Sequence, residues 1–303
     1  MEEQEKKTLG ERIEEKYGCS CSCCDDLIRN QGISDPDIAR AAYEAGILYP
    51  RILYQDAPAD VRDKLIDLLD KGEPDKNLVS NYLAALAMIG DETVAEYFQK
   101  WEEAPRPWRE SLYVGPYHYA EEGGWCIENG KKRQLFFDAC YALEKSETAA
   151  PEENVYGGTA EEKCPFCESS YVNVLVLDGR DERLSFLGFH GKIKIKYCEG
   201  CLPWSGTVFC KYVEDGESTV LRHDDGEEYF CDDEELNDRT PFVLSKKMVP
   251  TSYCDEFERC AVGGRPAFVD DASFVVCPEC GKKMMHLAQL GEEWTTCGTH
   301  YIQ

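Results

Sequence analysis

No stretch of the chain approaches the run of about 18 apolar residues that a membrane-crossing helix needs. The opening, Met1 to Lys16, is charged throughout and lacks the apolar centre of a secretory leader. A cytoplasmic protein is therefore expected. Positive charge is scarce: 33 Lys and Arg stand against 59 Asp and Glu, a formal net charge of −26. Such a surface repels phosphate backbones and anionic lipid, so neither nucleic acid nor membrane is an expected partner. The small basic patch Lys192, Lys194 and Lys196 does not reverse that balance. Catalytic signatures are missing as well. There is no GxSxG, Walker A or GxGxxG pattern. The five histidines, His118, His190, His223, His286 and His300, compose no HExxH or HxH. His223-Asp224-Asp225 reads as an exposed loop, and Gly123-Gly124 before Trp125 is a turn too short to cradle a phosphate.

Cysteine, by contrast, is abundant, with 17 in 303 residues. In a reducing compartment CxxC pairs read as metal ligands rather than disulfides, and the odd count leaves a thiol over in any pairwise scheme. Cys164-Pro165-Phe166-Cys167 and Cys198-Glu199-Gly200-Cys201 are two such turns with 30 residues between them, enough for two strands that bring the turns together. Zinc takes four thiolates tetrahedrally, and a shell of four cysteines leaves no position for water. A structural Zn2+ is expected here; buried free-thiol turns are the alternative.

The pattern recurs at an offset of 113 residues. Cys277-Pro278-Glu279-Cys280 matches the first turn, and Met285, Leu287 and Leu290 match Val172, Val174 and Leu177. Gly298 to Gln303 parallels Gly191 to Lys196 once a short deletion is allowed. Three completions of a second zinc site compete. Cys297 and His300 form a CxxH pair that would close a site of three cysteines and one histidine; Cys254 and Cys260 lie upstream with poorer spacing; or the partners fall past residue 303. A further cluster, Cys19, Cys21, Cys23 and Cys24, suits a soft metal or an oxidation sensor, or simply small residues near a helix start.

Along the chain, the organisation expected is a Cys-rich segment over residues 1–24, a helical domain over 25–148, a linker over 149–162 and a β-rich domain over 163–303. Val61, Leu65, Leu68 and Leu69 recur at helical spacing after Asp60, a candidate N-cap. Leu78, Tyr82, Leu86 and Ile89 form a second stripe, ended by Gly90. Asp91 caps a third carrying Val94, Tyr97, Phe98 and Trp101. These paired helices resemble HEAT-type repeats. Residues 105–130 read as an ordered, aromatic-packed connection, and a last helix is expected over 132–144 with Leu135, Phe136, Cys140 and Leu143 on one side. Beyond Lys163 the period becomes two, with strands at 172–176, 193–197, 207–209 and 219–221.

The segment Val262-Gly263-Gly264-Arg265-Pro266-Ala267-Phe268, followed by CPECGKKMMHLAQL over 277–290, resembles the YwqG-like bacterial domains of unknown function. A similar arrangement occurs in the programmed-cell-death-2 group of eukaryotic zinc proteins. Pro266, Phe268, Cys277, Cys280, Leu287 and Gln289 carry the match, which is strongest over 262–303 and looser over 163–303. The resemblance implies a β-rich, partly duplicated fold without established catalytic residues, of the partner-binding, chaperone-like or immunity kind. The sequence departs from it by reaching Gln303 before a terminal strand and cysteines. Gln289, in an apolar strand, is expected to bond a neighbouring backbone.

The expected whole is an α+β protein, a HEAT-like helical domain joined to a zinc-stabilised, partly duplicated β domain. Its expected function is non-catalytic: binding another protein, a basic one given the charge, in toxin neutralisation or chaperoning. The alternative is a metal-dependent hydrolase with an open site near Cys277, Cys280 and His300.

Overall fold

The computed structural model describes residues 28, 32–72, 74–150, 153–198, 207–223, 241–254, 259–269, 271–291 and 299–303. The first part is helical: α1 (Pro36–Ala45), α2 (Ala59–Lys71), α3 (Val79–Ile89), α4 (Glu92–Glu103) and α5 (Pro116–Glu122), with short 3-10 turns at Arg51–Tyr54 and Pro107–Ser111. The sequence punctuates these helices as its chemistry requires. Asp35 accepts the Asp37 N–H ahead of α1, and Gly46 closes that helix in the left-handed region. Gly90 does the same for α3 at φ 53°. Asp91 caps α4, its carboxylate 2.9 Å from the Val94 N–H. Two local expectations shift. α2 begins at Ala59 after Pro58, so Asp60 lies inside its first turn, where it pairs with Arg40 rather than capping. On α3 the buried face is Val79, Leu83 and Leu86, while Leu78 sits outside the helix and is exposed.

The core of this part closes on aromatic residues. Trp101 and Trp108 meet edge to face at 5.6 Å, and Phe98 packs on Trp125 at 5.4 Å. Each buried indole N–H finds an acceptor: Trp108 donates to the Leu69 carbonyl and Trp125 to that of Ala87. Trp101 donates to Asp70, whose side chain is 7% exposed and also receives Lys100 and Arg106. Burial works against the Asp70 charge, yet these bonds outweigh it and hold the carboxyl down at about 2. A carboxyl whose pKa is lower folded than unfolded contributes stability that is complete above its unfolded value near 4 and fades as pH falls towards 2. Asp70→Asn should therefore lose about 2 kcal/mol at pH 7 and much less at pH 2.5. Urea midpoints of both proteins at the two pH values check this; an equal gap at both would remove the ionic role.

The helix expected over 132–144 is not formed. β1 (Trp125–Glu128) and β2 (Lys131–Gln134) make a hairpin, and β3 (Phe137–Lys145) follows. The turn is Asn129-Gly130, both at positive φ (53° and 71°), the pairing that favours a two-residue hairpin loop. On β3 the fully buried residues Cys140 and Ala142 flank half-buried Tyr141, a period of two that gives way at buried Leu143. β3 then becomes an inner strand of a five-stranded antiparallel sheet, ordered β12-β11-β10-β3-β9. Its partners are β9 (Phe242–Leu244), β10 (Ala261–Gly264), β11 (Ala288–Leu290) and β12 (His300–Ile302). Within the linker expected over 149–162, residues 153–162 are packed. Val155 and Tyr156 are buried in the β core, and β4 (Thr159–Lys163) begins there. The helical part thus gives way to sheet at Gly123-Gly124, well before the expected boundary.

β4 pairs with β5 (Ser170–Asp178), and β5 with β6 (Lys192–Tyr197); β7 (Val208–Lys211) and β8 (Thr219–His223) form a separate hairpin. β5 to β8 are the strands that period-two alternation predicted; β4 lies where a linker was expected. The chain is accordingly a mixed α and β protein with several antiparallel sheets.

Candidate metal centre

The β5–β6 hairpin sets the first site. β5 starts three residues after Cys167 and β6 ends one residue before Cys198, so antiparallel pairing returns Cys198 to the knuckle. The sulfurs of Cys164, Cys167 and Cys198 all lie within 4.8 Å of one another. Cys167 and Cys198 are 3.5 Å apart, far from the roughly 2.05 Å of a disulfide. The spacing is near the edge, about 3.8 Å, of a tetrahedron with 2.3 Å Zn–S bonds. Cys164 and Cys198 are buried and Cys167 half-buried. Cys201 lies outside the described residues, as do Cys297 and the Cys19–Cys24 cluster.

The surroundings suit sulfur anions. The Phe166 N–H points at the Cys164 sulfur at 3.4 Å, and the buried Tyr171 hydroxyl bonds the same sulfur. Burial first, then the nearby sulfurs, pushes the Tyr171 phenol up, so it stays a donor. Burial opposes charge on Cys167, but Ser169, through backbone and hydroxyl, brings that thiol below its ordinary value. Lys196, two residues before Cys198 and almost wholly buried, is paired with Glu162 at 2.8 Å. Three thiols held this way can take a soft divalent ion; the donor set fits zinc.

The second knuckle repeats the first bond for bond. Cys164 N–H to Ser169 O (2.9 Å) becomes Cys277 N–H to Lys282 O (2.8 Å), and Glu168 N–H to Cys164 O becomes Gly281 N–H to Cys277 O. The left-handed residue after the turn is Glu168 (φ 61°) in one copy and Gly281 (φ 71°) in the other. The pair Lys163↔Ser170 recurs as Val276↔Lys283. Every one of these correspondences keeps the offset of 113. Further on, Leu175↔Ile195, Val176↔Lys194 and Leu177↔Ile193 recur as Ala288↔Ile302, Gln289↔Tyr301 and Leu290↔His300. The structure is duplicated as the sequence is.

That register places His300 within the second copy. His300 stands where the first copy has Ile193, five positions ahead of Cys198. Its ring lies against Tyr197 at 4.3 Å. Among the described residues, Cys277, Cys280 and His300 do not come together as a metal-binding group, and neither Cys254 nor Cys260 joins the knuckle; Cys297, the other expected ligand, lies outside them. Cys254 is buried beside Cys140 and Ala261, and the Cys260 sulfur accepts the Gly291 N–H at 3.1 Å. Within the turn, the N–H groups of Cys280 and Glu279 donate to the Cys277 sulfur and lower that thiol.

Three other features stand outside the knuckles. His118 and Glu122, at i and i+4 on α5, meet Asp271 from the loop after β10, with His118 Nε2 3.6 and 3.7 Å from the two carboxylates. Sequence spacing did not single this group out. Arg51 is already paired with Glu122, so charge balance accounts for it. Gln289 is fully buried and bonds backbone as expected, accepting from Ala267 N (2.9 Å) and donating to Arg259 O (3.1 Å).

His286 is the third. It is fully buried and neither ring nitrogen has a hydrogen-bond partner. Its backbone bonds Leu135 O, and its ring faces Tyr301. Burial alone pushes its pKa down to about 3. A base that is harder to protonate when folded supports the fold fully above its unfolded value near 6.5, and loses that support as pH falls towards 3. Between pH 6.5 and 5 the protein should lose about 1–2 kcal/mol through this residue, and His286→Leu should abolish that loss. Denaturation curves across the range check it; parallel pH profiles for both proteins would contradict it.

Comparison with known proteins adds one relative. The chain is 34% identical over 253 residues to the uncharacterized protein YpfL of Salmonella typhimurium, a match covering 78% of this chain and 56% of YpfL. The chain thus spans little more than half of that relative's length. No family model matches the chain, and no solved structure matches it. The likeness sets the chain beside a bacterial protein of uncharacterised function.

Proposed function

We propose that this is a non-catalytic zinc protein whose metal stiffens a β scaffold for binding another protein. The observation that carries the reading is the convergence of Cys164, Cys167 and Cys198, held by N–H and O–H donors in a site closed off by burial. Cys201, three residues after Cys198, is the fourth ligand in this reading, and four thiolates leave no metal position for substrate. The same reading treats α2, α3 and α4, with the Gly90-Asp91 joint, as a HEAT-like unit and the duplicated knuckles as a YwqG-like domain. Tyr49 and Tyr113, 80% and 105% exposed on the helical part, are contact candidates. The net charge of −26 favours a basic partner, as in neutralisation of a cationic toxin. The reading places the protein in the cytoplasm, where thiolate ligands stay reduced; among the described residues no helix is long and apolar enough to cross a membrane. The hydrolase reading needs His300 to share a metal with Cys277 and Cys280; its ring packs on Tyr197, and among the described residues these three do not form a metal-binding group. The test is affinity purification from the native cell with metal analysis of the same sample. A stoichiometric protein partner with zinc in the sample supports the reading. Metal-free protein, or turnover of a small molecule without any partner, overturns it.

A further inference from the structure

Among the described residues the second knuckle is complete as a turn and holds two of the four ligands of a zinc site. Its sulfur at position 277 receives two backbone N–H bonds, and Gly281 holds the left-handed turn after the second thiol with open space around it. The first knuckle is built alike but lies under Cys198 and Tyr171. The second projects outward: Cys280, Pro278 and Glu279 are exposed, Cys277 is half-buried, and Val276 beside them is 51% exposed. Among the described residues no third Cys, His, Asp or Glu approaches both thiols. Two thiolates fill half of a tetrahedron.

We propose that Cys277 and Cys280 form half of a zinc site that is closed by the same pair from a second copy of this chain. A twofold axis through the ion supplies four chemically equal thiolates, the isologous arrangement that a symmetric dimer uses. Each thiol gives up its proton on binding, so one ion joins two copies with release of up to four protons. The charge of the chain makes the ion indispensable. Each copy carries −26, so the two repel without it and the dimer dissociates when zinc is chelated. The metal count below rests on the first site holding its own zinc, as proposed above.

The experiment is size-exclusion chromatography with light scattering and metal analysis on the zinc-loaded full chain. Expected are particles of twice 34.4 kDa holding about 1.5 zinc per chain, which fall to single chains on chelation. Cys277→Ser with Cys280→Ser should give single chains with about one zinc each and an unchanged circular dichroism spectrum. Cys297→Ser should leave the zinc-bound dimer intact. If the first site is empty and this inference right, the dimer persists with about 0.5 zinc per chain, so the two readings fail separately. Single chains holding two zinc, reduced to one by Cys297→Ser, would show that the chain closes the site internally and overturn the proposal. So would a dimer that survives loss of both knuckle thiols.

Discussion

Cys198→Ser is expected to unravel the knuckle and the strands around it while the helices persist. Among the described residues the cluster holding the first site has three buried members, Cys164, Tyr171 and Cys198, with half-buried neighbours such as Tyr197 and Val208, so little apolar surface keeps it together without metal. A structural zinc contributes roughly 10–16 kcal/mol of apparent binding energy, comparable with the whole net stability of a domain. With Cys201 as the fourth ligand, the variant leaves three thiols and a hydroxyl, a set that zinc binds more weakly than four thiolates. The helical core is separate. It closes on Trp101, Trp108 and Trp125, none of which belongs to the knuckle cluster, and the Asp70 bonds lie within it. Strand β5 also reaches the main β core through Val172, Val174, Leu175 and Leu177, so the damage should spread there after the knuckle opens. Circular dichroism should show loss of β signal with the helical minimum near 222 nm largely kept, and a chelator should do the same to the wild type. A chelated protein with an unchanged melt and spectrum would end the structural role of the metal.

Gly263→Ala should be the most damaging added methyl among the glycines of the described residues, costing about 4 kcal/mol or more and leaving much of the protein insoluble. Gly263 lies on β10 at φ 74°, where β10 and β3 fall out of register. An added Cβ would sit 2.0 Å from the Ala139 carbonyl oxygen. The obstacle is backbone, so no rotamer relieves it; β10 must move off β3 in the middle of the five-stranded sheet. Gly130→Ala is the control. It has the same left-handed backbone, φ 71°, but nothing within 4 Å of the new carbon. It should lose only the conformational cost of about 1–2 kcal/mol. Thermal melts of the two variants separate steric approach from backbone preference. Equal losses would show that the close approach of the strands has no energetic weight.

Both residues show how far the sequence reaches. Gly263-Gly264 signals positive φ to a reader of the chain, and the structure has it at 74° and 75°. That the carbonyl of Ala139 lies against it depends on a strand more than 120 positions away in the numbering. The region 132–144 marks the same limit. Leu135, Phe136, Cys140 and Leu143 fit a helical stripe, and only the Asn129-Gly130 turn argues locally for a hairpin. β3 becomes a strand because β9 and β10 are there to bond it. Tertiary pairing overrides a short ambiguous pattern.

What the residues settle unaided is local. A CxxC turn, its N–H bonds to sulfur and the left-handed residue after it span five positions, so both knuckles could be read directly, and the offset of 113 holds in the hydrogen bonds as it does in the letters. The Gly90-Asp91 joint is equally short-range. What only the folded molecule decides is which turn meets which ligand. Cys198 comes home to Cys164 and Cys167 because β6 returns along β5, whereas His300, close to Cys280 in spacing, is carried by β12 to Tyr197. Strand register settles both outcomes, and register depends on partners that are distant along the chain.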